Sequence, residues 1–482
     1  MSIDVLINLS QIIMLGLSTL VVMLVIAFRR DHKLTYGLTM AGLAISLLIF
    51  LFITPADARQ ATELLVMDDY SLFFSTLVII SALAVTALSY PYFEGEKSRN
   101  EEFYLLLLMA TLGGVVLACS QHFVSFFLGM EILSICLYGM IAYTVQQPGA
   151  AKFPLEAGIK YLLLSGASSA MILFGIALIY TQTGTLLFSD IPQRLVEAGQ
   201  GNPIVITGWM MAVAGIAFKL SLVPFHMWTP DVYEGAPVPA TTFIATASKA
   251  AMVAVVLRLV LASQAYEIDG LLSTVTVLAA LSMVVGNLLA LLQKNIKRLL
   301  AYSSIAHLGY VMIVMVAAGS MASSAAAEAV TYYMAAYVFT TLAGFAVVSA
   351  LSSSTNEQDQ LVSYQGLFWQ RPWVALPLMI VMLSLAGIPL TMGFIGKFYV
   401  IQAGVTGQLW LLLAMLVIGS GIGIFYYLRV VYLLVQPPSG ESEQGGLPLA
   451  VTATLLLTSG TVVLLGIWPT GLIASLSGLS VF

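Results

Sequence analysis

Stretches of predominantly apolar residues, each long enough to cross a bilayer, follow one another along almost the whole chain. The hydrocarbon core takes about 20 helical residues to span. Within it only helices and closed barrels satisfy their own backbone. The stretches lie near 5–28, 35–53, 70–90, 103–119, 123–144, 157–181 and 204–235, then 238–263, 270–292, 299–319, 326–350, 372–402, 409–434 and 447–468. They predict an all-α, polytopic integral membrane protein of about 14 transmembrane helices. Composition agrees: 60% of the 482 residues are hydrophobic and 9% charged, against roughly 45–50% and about 25% in soluble domains. A water-soluble fold is excluded. The net charge of -5 comes mostly from acids between the stretches, such as Asp57, Glu63, Asp68 and Asp69, and leaves no basic surface for nucleic acid.

Cys119 and Cys136 lie in apolar stretches without a CxxC pair. They signal neither a disulfide framework nor a metal or iron–sulfur site, and read as small buried hydrophobes. The N-terminal segment carries Asp4 and no basic n-region or cleavage site, so it is expected to stay as the first helix. Orientation follows from lysine and arginine, which favour cytoplasmic loops. Odd-numbered connections and their flanks hold Arg29, Arg30, Lys33, Lys97, Arg99, Lys152, Lys160, Lys294, Lys297, Arg298, Arg371 and Arg429. Even-numbered ones hold only Arg59 and Arg194. Odd connections are therefore expected in the cytoplasm and both termini in the periplasm.

Two stretches, the seventh (GIAFKLSLVPFHMWTPD) and the twelfth (SLAGIPLTMGFIGKFYV), are too long for one crossing. Pro224 removes the amide that would bond Leu220 O, and Pro389 does the same to Leu385 O, so both helices are expected to break. Freed backbone at membrane depth must be buried in protein or face a wet cavity. The two broken helices lie five positions apart in order and therefore cross in opposite directions, the mark of an inverted repeat. QHFVSFFLGMEILSICLYGM from Gln121 and QKNIKRLLAYSSIAHLGYVM from Gln293 share Leu128/Leu300 and Tyr138/Tyr310 at constant offset. The expected organisation is one transmembrane domain: helices 1–3 (1–102), a first repeat of helices 4–8 (103–263), a second of helices 9–13 (264–436) and a last helix (437–482).

Five ionisable residues lie far inside apolar spans: Glu131, Lys219, Lys249, His307 and Lys397. A charged side chain at a helix centre costs about 2.5–3.5 kcal/mol on insertion scales, so several in one chain call for a function. Lys249 is some eleven residues into its helix, about 17 Å. Burial drives lysines and acids towards neutrality, and a neighbouring opposite charge restores the charged form. Separating a Glu–Lys couple then releases a proton. Structural readings stand beside this one. Glu131 and Lys219 form either a switch or a static ion pair. Lys397 either titrates or caps the carbonyls of the broken helix, and His307 either relays protons or is a satisfied core histidine. Arg258 is expected to reach the interface. His226, Asp231 and Glu234 line an entrance or satisfy one another, and Lys294, Lys297 and Arg298 read as ordinary interfacial anchors. Pro237 and Pro239 read as turn residues.

The run FKLSLVPFHMWTPDVYEGAPVPATTFIATASKA, Phe218 to Ala250, closely resembles the helix 7–8 region of the antiporter-like subunits of bacterial respiratory complex I, which share ancestry with Mrp-type Na+/H+ antiporter subunits. Its wording, with SLAGIPLTMGFIGKFY, is similar to the N paralogues over essentially the whole chain. Lys397 stands where M paralogues are expected to carry a glutamate, and an L paralogue is expected to continue into a lateral helix beyond the last span. The resemblance implies a proton-translocating subunit of NADH:quinone oxidoreductase in a bacterial inner membrane, with an Mrp-type cation/proton antiporter subunit as the alternative. It implies that Glu131 and Lys219 are the coupling pair, that Lys249 passes protons on through His307, and that Lys397 precedes release. No cofactor or metal is expected on this chain. FMN and iron–sulfur clusters belong to partner subunits, together with the NADH and quinone chemistry, and the partners are further complex I subunits and membrane lipids.

Overall fold

The computed structural model describes residues 3–50, 59–94, 100–146, 153–199, 201–268, 270–438 and 446–479. Asp57, Lys97, Arg99 and Lys152 lie outside them. The spans are α1 (Ser10–Phe28), α2 (His32–Phe50), α3 (Asp69–Phe93), α4 (Glu101–Ala118), α5 (Phe123–Ile141) and α6 (Pro154–Thr183). A seventh follows in two pieces, α7a (Pro203–Leu220) and α7b (Trp228–Gly235), and then α8 (Val238–Ala262). The second half holds α9 (Leu271–Leu291), α10 (Ile296–Ala317), α11 (Ser323–Ala350), the halves α12a (Pro372–Ala386) and α12b (Met392–Thr406), α13 (Trp410–Val435) and α14 (Leu449–Ile467). Among the described residues thirteen helices are long and apolar enough to cross a membrane, and the two halves of α12 make the fourteenth crossing. Among the described residues the only strands are the two-residue pair Arg59–Gln60 and Val66–Met67.

Helix starts are set by short polar side chains that take up free amides. Asp68 caps α3 in a capping box with Ser71, Asn202 accepts from Ile204 N before Pro203, and Asn295 accepts from Lys297 N and Arg298 N. The two five-helix units, α4–α8 and α9–α13, share one plan. A tight hairpin comes first, then the longest helix of the unit (30 and 28 residues), which packs along the broken fourth. Small residues allow the close contacts expected between membrane helices. Where α6 meets α7a, a Cβ on Gly175 would lie 2.5 Å from Gly208 O.

Burial is uneven. The windows of α8, α10 and α11 are 89%, 94% and 89% buried, while α1 and α2 are 28% buried and α13 and α14 33%. An apolar helix enclosed on all sides sits in the protein core rather than against lipid. The three enclosed helices run beside the two breaks, so the polar groups they carry face protein.

The threading also gathers one kind of end at one face. Tyr92, Lys160, Asp231, Glu234, Asn295, Lys297, Arg298, Glu357 and Asp359, all beside odd-numbered connections, form a single network. Lys297 departs from the anchor expected of it. It is fully enclosed, donates to Glu357 Oε2 at 2.6 Å and Ala236 O at 2.7 Å, and so ties α10 to the connection before α12 and to the segment behind α7b. Arg258 departs too. It is 2% exposed and grips Asp68 through two bonds of 2.6 and 2.8 Å, with its guanidinium 5.3 Å from the Tyr70 ring centre. Its position near a helix end is what points to snorkelling. The carboxylate that holds it back is 190 residues away in sequence.

Candidate functional site

Both breaks have the same backbone construction. α7a stops at Leu220, where Ser221 turns left-handed (φ 63°), and α12a stops at Ala386, where Gly387 does so (φ 81°). The next amide folds back on each helix, Leu222 N to Ala217 O at 2.8 Å and Ile388 N to Leu383 O at 3.0 Å. These are Schellman-type ends. The helices stop short of Pro224 and Pro389 because the residue before a proline disfavours the helical region. The break is thus displaced a few residues ahead of the prolines.

A lysine amine meets the carbonyls so released. Lys249 Nζ donates to Lys219 O at 3.0 Å and to Ser221 Oγ, and Thr229 Oγ1 donates to the same serine at 2.6 Å. Lys397 Nζ donates to Leu385 O at 3.0 Å and Ala386 O at 2.9 Å. The Leu385 carbonyl singled out by Pro389 is therefore taken as anticipated. At the first break it is Lys219 O, not Leu220 O, that is taken. Trp228 Nε1 closes Phe218 O at 3.0 Å. Each amine also lies near an aromatic ring, Lys249 5.1 Å from Trp228 and Lys397 5.6 Å from Tyr310, within cation–π range. Lys249 follows one wide π-turn, Ile244–Ser248, in the middle of α8, a distortion common at functional sites.

Glu131 and Lys219 do not touch. Lys219 Nζ donates to Ser134 Oγ at 2.8 Å and Ser165 Oγ at 2.7 Å, while Glu131 Oε1 accepts from Ser169 Oγ at 2.5 Å. Ser165 and Ser169 are one turn apart on α6, and Glu131 and Ser134 are three residues apart on α5, so each pair shares a helix face. The direct ion pair is replaced by hydroxyls, with Tyr138 joining through Ser165 at 2.9 Å. Glu131 itself is only partly buried and lies beside the exposed Leu128 and Ile135.

His307 sits among tyrosines. Its Nδ1 is 2.7 Å from Tyr333 Oη and its Nε2 3.4 Å from Tyr427 Oη; Ser303 pairs with Tyr427 at 2.5 Å and Ser304 with Tyr337 at 2.6 Å. A cavity with room for about one water is lined by His307, Tyr333, Tyr337, Thr340, Ser384 and Leu385. Leu385 brings to it the carbonyl that holds Lys397. The histidine and the second break therefore share one small cavity.

Of the five sequence-predicted groups, Lys219 and Lys249 thus lie at the first break and His307 with Lys397 at the second, while Glu131 is set apart from Lys219 by the serine hydroxyls. Sequence reasoning missed the hydroxyls between them. The one-turn spacing of Ser165 and Ser169 beside a second helix carrying Glu131 and Ser134 is the signal that was available. Next to α7b, Asp231 accepts from Lys160 at 2.8 Å and Arg298 at 2.9 Å, and Glu234 from Arg298 at 2.8 Å. These acids line two polar cavities that share Glu234 and Phe153.

A family model described as NADH:quinone oxidoreductase/Mrp antiporter, transmembrane, matches residues 120–423. The fold is similar over nearly the whole chain to a subunit of respiratory complex I from Thermus thermophilus, solved with bound aureothin. Identity is 31%, the TM-score 0.83, and the match covers 98% of this chain and 100% of that one. A chain of an archaeal respiratory membrane complex, the membrane-bound sulfane sulfur reductase, gives 22% identity, TM-score 0.83 and coverage of 98% and 96%. A chain of the Mrp complex from Dietzia sp. DQ12-45-1b gives 19%, 0.83, and 99% and 97%. With more than half its length under the family model and near-complete overlap with the Thermus subunit, the chain belongs to the NADH:quinone oxidoreductase/Mrp antiporter family, as an antiporter-like membrane subunit of the complex I type.

Proposed function

We propose that this chain is the N-type proton-translocating subunit of a bacterial NADH:quinone oxidoreductase, seated in the inner membrane with its odd-numbered connections in the cytoplasm and both termini in the periplasm. The observation that carries the reading is the pair of lysines held on the open ends of broken helices inside the protein. A lysine amine in that position makes charge-assisted hydrogen bonds to the carbonyls, and gains from the negative end of the helix, only while protonated. Loss of the proton therefore weakens a cap, and a shift of the helix end favours loss of the proton.

In this reading Glu131 and Lys219 form the loading pair, with Ser134, Ser165 and Ser169 as hydroxyl relays between them. Lys249 takes the proton onward, His307 and its tyrosines carry it across the centre, and Lys397 hands it to the outlet. The chain supplies no redox centre. Flavin, iron–sulfur clusters and the NADH and quinone reactions belong to partner subunits, and the enzyme activity is that of the complex.

The test uses the assembled complex in sealed vesicles. Lys219→Ala and Lys397→Ala are expected to depress proton pumping while electron transfer to artificial acceptors persists. Unchanged pumping stoichiometry in both would refute the assignment. The rival reading, an Mrp-type antiporter subunit, is separated by purification: co-migration with flavin and iron–sulfur subunits supports complex I, and Na+-dependent proton exchange by a complex lacking them supports the rival.

A further inference from the structure

Asn287, on α9, ties together two tyrosines that border the His307 site. It is 2% exposed. Its Nδ2 donates to Met283 O at 2.7 Å and to Tyr310 Oη at 3.0 Å, and its Oδ1 accepts from Tyr426 Oη at 3.0 Å. Two glycines one turn apart on α13 make room for the amide: a Cβ on Gly419 would lie 2.8 Å from Asn287 Nδ2, and one on Gly423 3.4 Å from Oδ1. Tyr310 follows His307 by one turn of α10, with their rings 5.4 Å apart, and its ring lies 5.6 Å from Lys397 Nζ. The Tyr426 ring lies 4.3 Å from that of Tyr427, whose hydroxyl meets His307.

The amide fixes both hydroxyls. A carbonyl oxygen only accepts, so Met283 O decides which end of the amide is the nitrogen. Tyr310 then receives a hydrogen from Asn287 and points its own elsewhere, and Tyr426 has to donate. The bonds of Ser303 with Tyr427 and of Ser304 with Tyr337 are of another kind, since either hydroxyl can be the donor. Proton hopping needs groups of that second kind, which accept and give in turn. A neutral carboxamide takes up no proton and releases none in the physiological range.

Beyond Asn287 the odd-loop face is close. Leu291 lies one turn and about 6 Å further along α9. Its carbonyl accepts from Arg429 at 2.9 Å, and Arg429 also donates to Gln293 O at 2.8 Å. Gln293 Oε1 in turn accepts from Arg298 at 3.3 Å, a member of the polar network on that face. Arg429 follows Tyr426 by three residues on α13, on the same side of the helix. A titratable side chain at position 287 would therefore stand between the His307 cluster and the odd-loop network.

We propose that Asn287 is an insulating residue: it satisfies Tyr310 and Tyr426 with a side chain that conducts no proton, and so closes the His307 path against return to the odd-loop face. The inference rests on the proton path proposed above. A leucine at this place would also block protons but would leave two buried hydroxyls without their partner, which is costly. An aspartate would pair with them and conduct. The amide pairs and blocks at once.

The test uses the assembled complex in sealed vesicles, with an imposed pH gradient and no substrate. Asn287→Asp, of the same size, is expected to collapse the gradient several-fold faster than the wild type. Asn287→Leu loses the same cross-helix bonds but adds no titratable group, and is expected to hold the gradient as the wild type does. A purely structural clamp requires the two variants to behave alike, so equal leak in both, or tightness in both, overturns the proposal. The second readout is the ratio of protons pumped to electrons transferred. Asn287→Leu is expected to keep the wild-type ratio, which supports the proposal even where the aspartate variant does not assemble; a lowered ratio overturns it. Lys397→Ala, run alongside, keeps the two inferences apart: an unchanged ratio there means that the pumping assignment has failed, while the comparison of leaks still scores Asn287.

Discussion

Lys249 and Lys397 perform the same act at two different helix ends. Each Nζ lies 3.0 Å from the carbonyl two residues before a left-handed turn, Lys219 O in one case and Leu385 O in the other. They reach it from different places, Lys249 from the following helix and Lys397 from the second half of its own broken helix. Under the proposed function the capping and titrating readings of Lys397 are therefore not alternatives, since the cap is what makes the charge of the amine felt by the backbone.

Arginine at these positions is expected to separate the two roles. It keeps a positive donor for the carbonyls but scarcely deprotonates. Lys249→Arg and Lys397→Arg are expected to assemble and lose proton transport, whereas alanine also strands buried carbonyls at a cost of about 1–3 kcal/mol each. Vesicle acidification and thermal melting of the solubilised complex report the two effects. Normal transport by both arginine variants would rule out a titrating role.

Gly387 is expected to tolerate no side chain. Its φ is 81°, and a Cβ there would lie 2.8 Å from Lys397 Cδ and 3.1 Å from Nζ. The left-handed turn alone costs an alanine about 1–2 kcal/mol, and the methyl pushes the amine off its carbonyls. Gly387→Ala should lower the melting temperature and depress pumping. Gly421→Ala, where the added methyl meets open space, is the control expected to do neither.

The serines between Glu131 and Lys219 make a graded prediction. Removing a hydrogen bond to a charged group costs roughly 1.5–3 kcal/mol, so Ser165→Ala should slow pumping by about tenfold or more. Ser134→Ala together with Ser165→Ala should stop it, with the complex intact. Initial rates of dye-detected proton uptake, normalised to subunit content, measure this. Rates unchanged in the double variant would mean that Lys219 does not need these hydroxyls.

The Arg258–Asp68 pair bears on stability. Removing one partner of an enclosed pair leaves an uncompensated charge, at about 3–5 kcal/mol, while replacing both with apolar groups is much milder. Asp68→Asn or Arg258→Met alone should reduce assembled complex on native gels. Asp68→Asn with Arg258→Met, which removes both charges and keeps a capping side chain on α3, should restore it.

The fold was readable because its rule is local: some 20 apolar residues make a crossing wherever they occur, and a proline inside an over-long stretch marks a break. The five buried ionisable groups were readable for the same reason, since each stands out against its own apolar neighbours. What stayed hidden depends on distant partners. Nothing around Arg258 announces Asp68, and nothing around Lys297 announces Glu357, 60 residues on. Serines 134, 165 and 169 were invisible for a different reason. A lone hydroxyl in a membrane helix commonly bonds back to its own backbone, as Ser81 and Ser89 do here and Ser134 does to Met130 O, and only the facing helix shows which ones also meet a charged partner.

A serine or tyrosine hydroxyl gives one hydrogen and receives others, so the row from Ser169 to Ser134 and the ring of tyrosines about His307 read the same from either end. Under the proposed function, a path built of such groups has no intrinsic sense of forward, and rectification has to come from the two lysines, Lys249 and Lys397, whose hold on a severed helix changes with their charge.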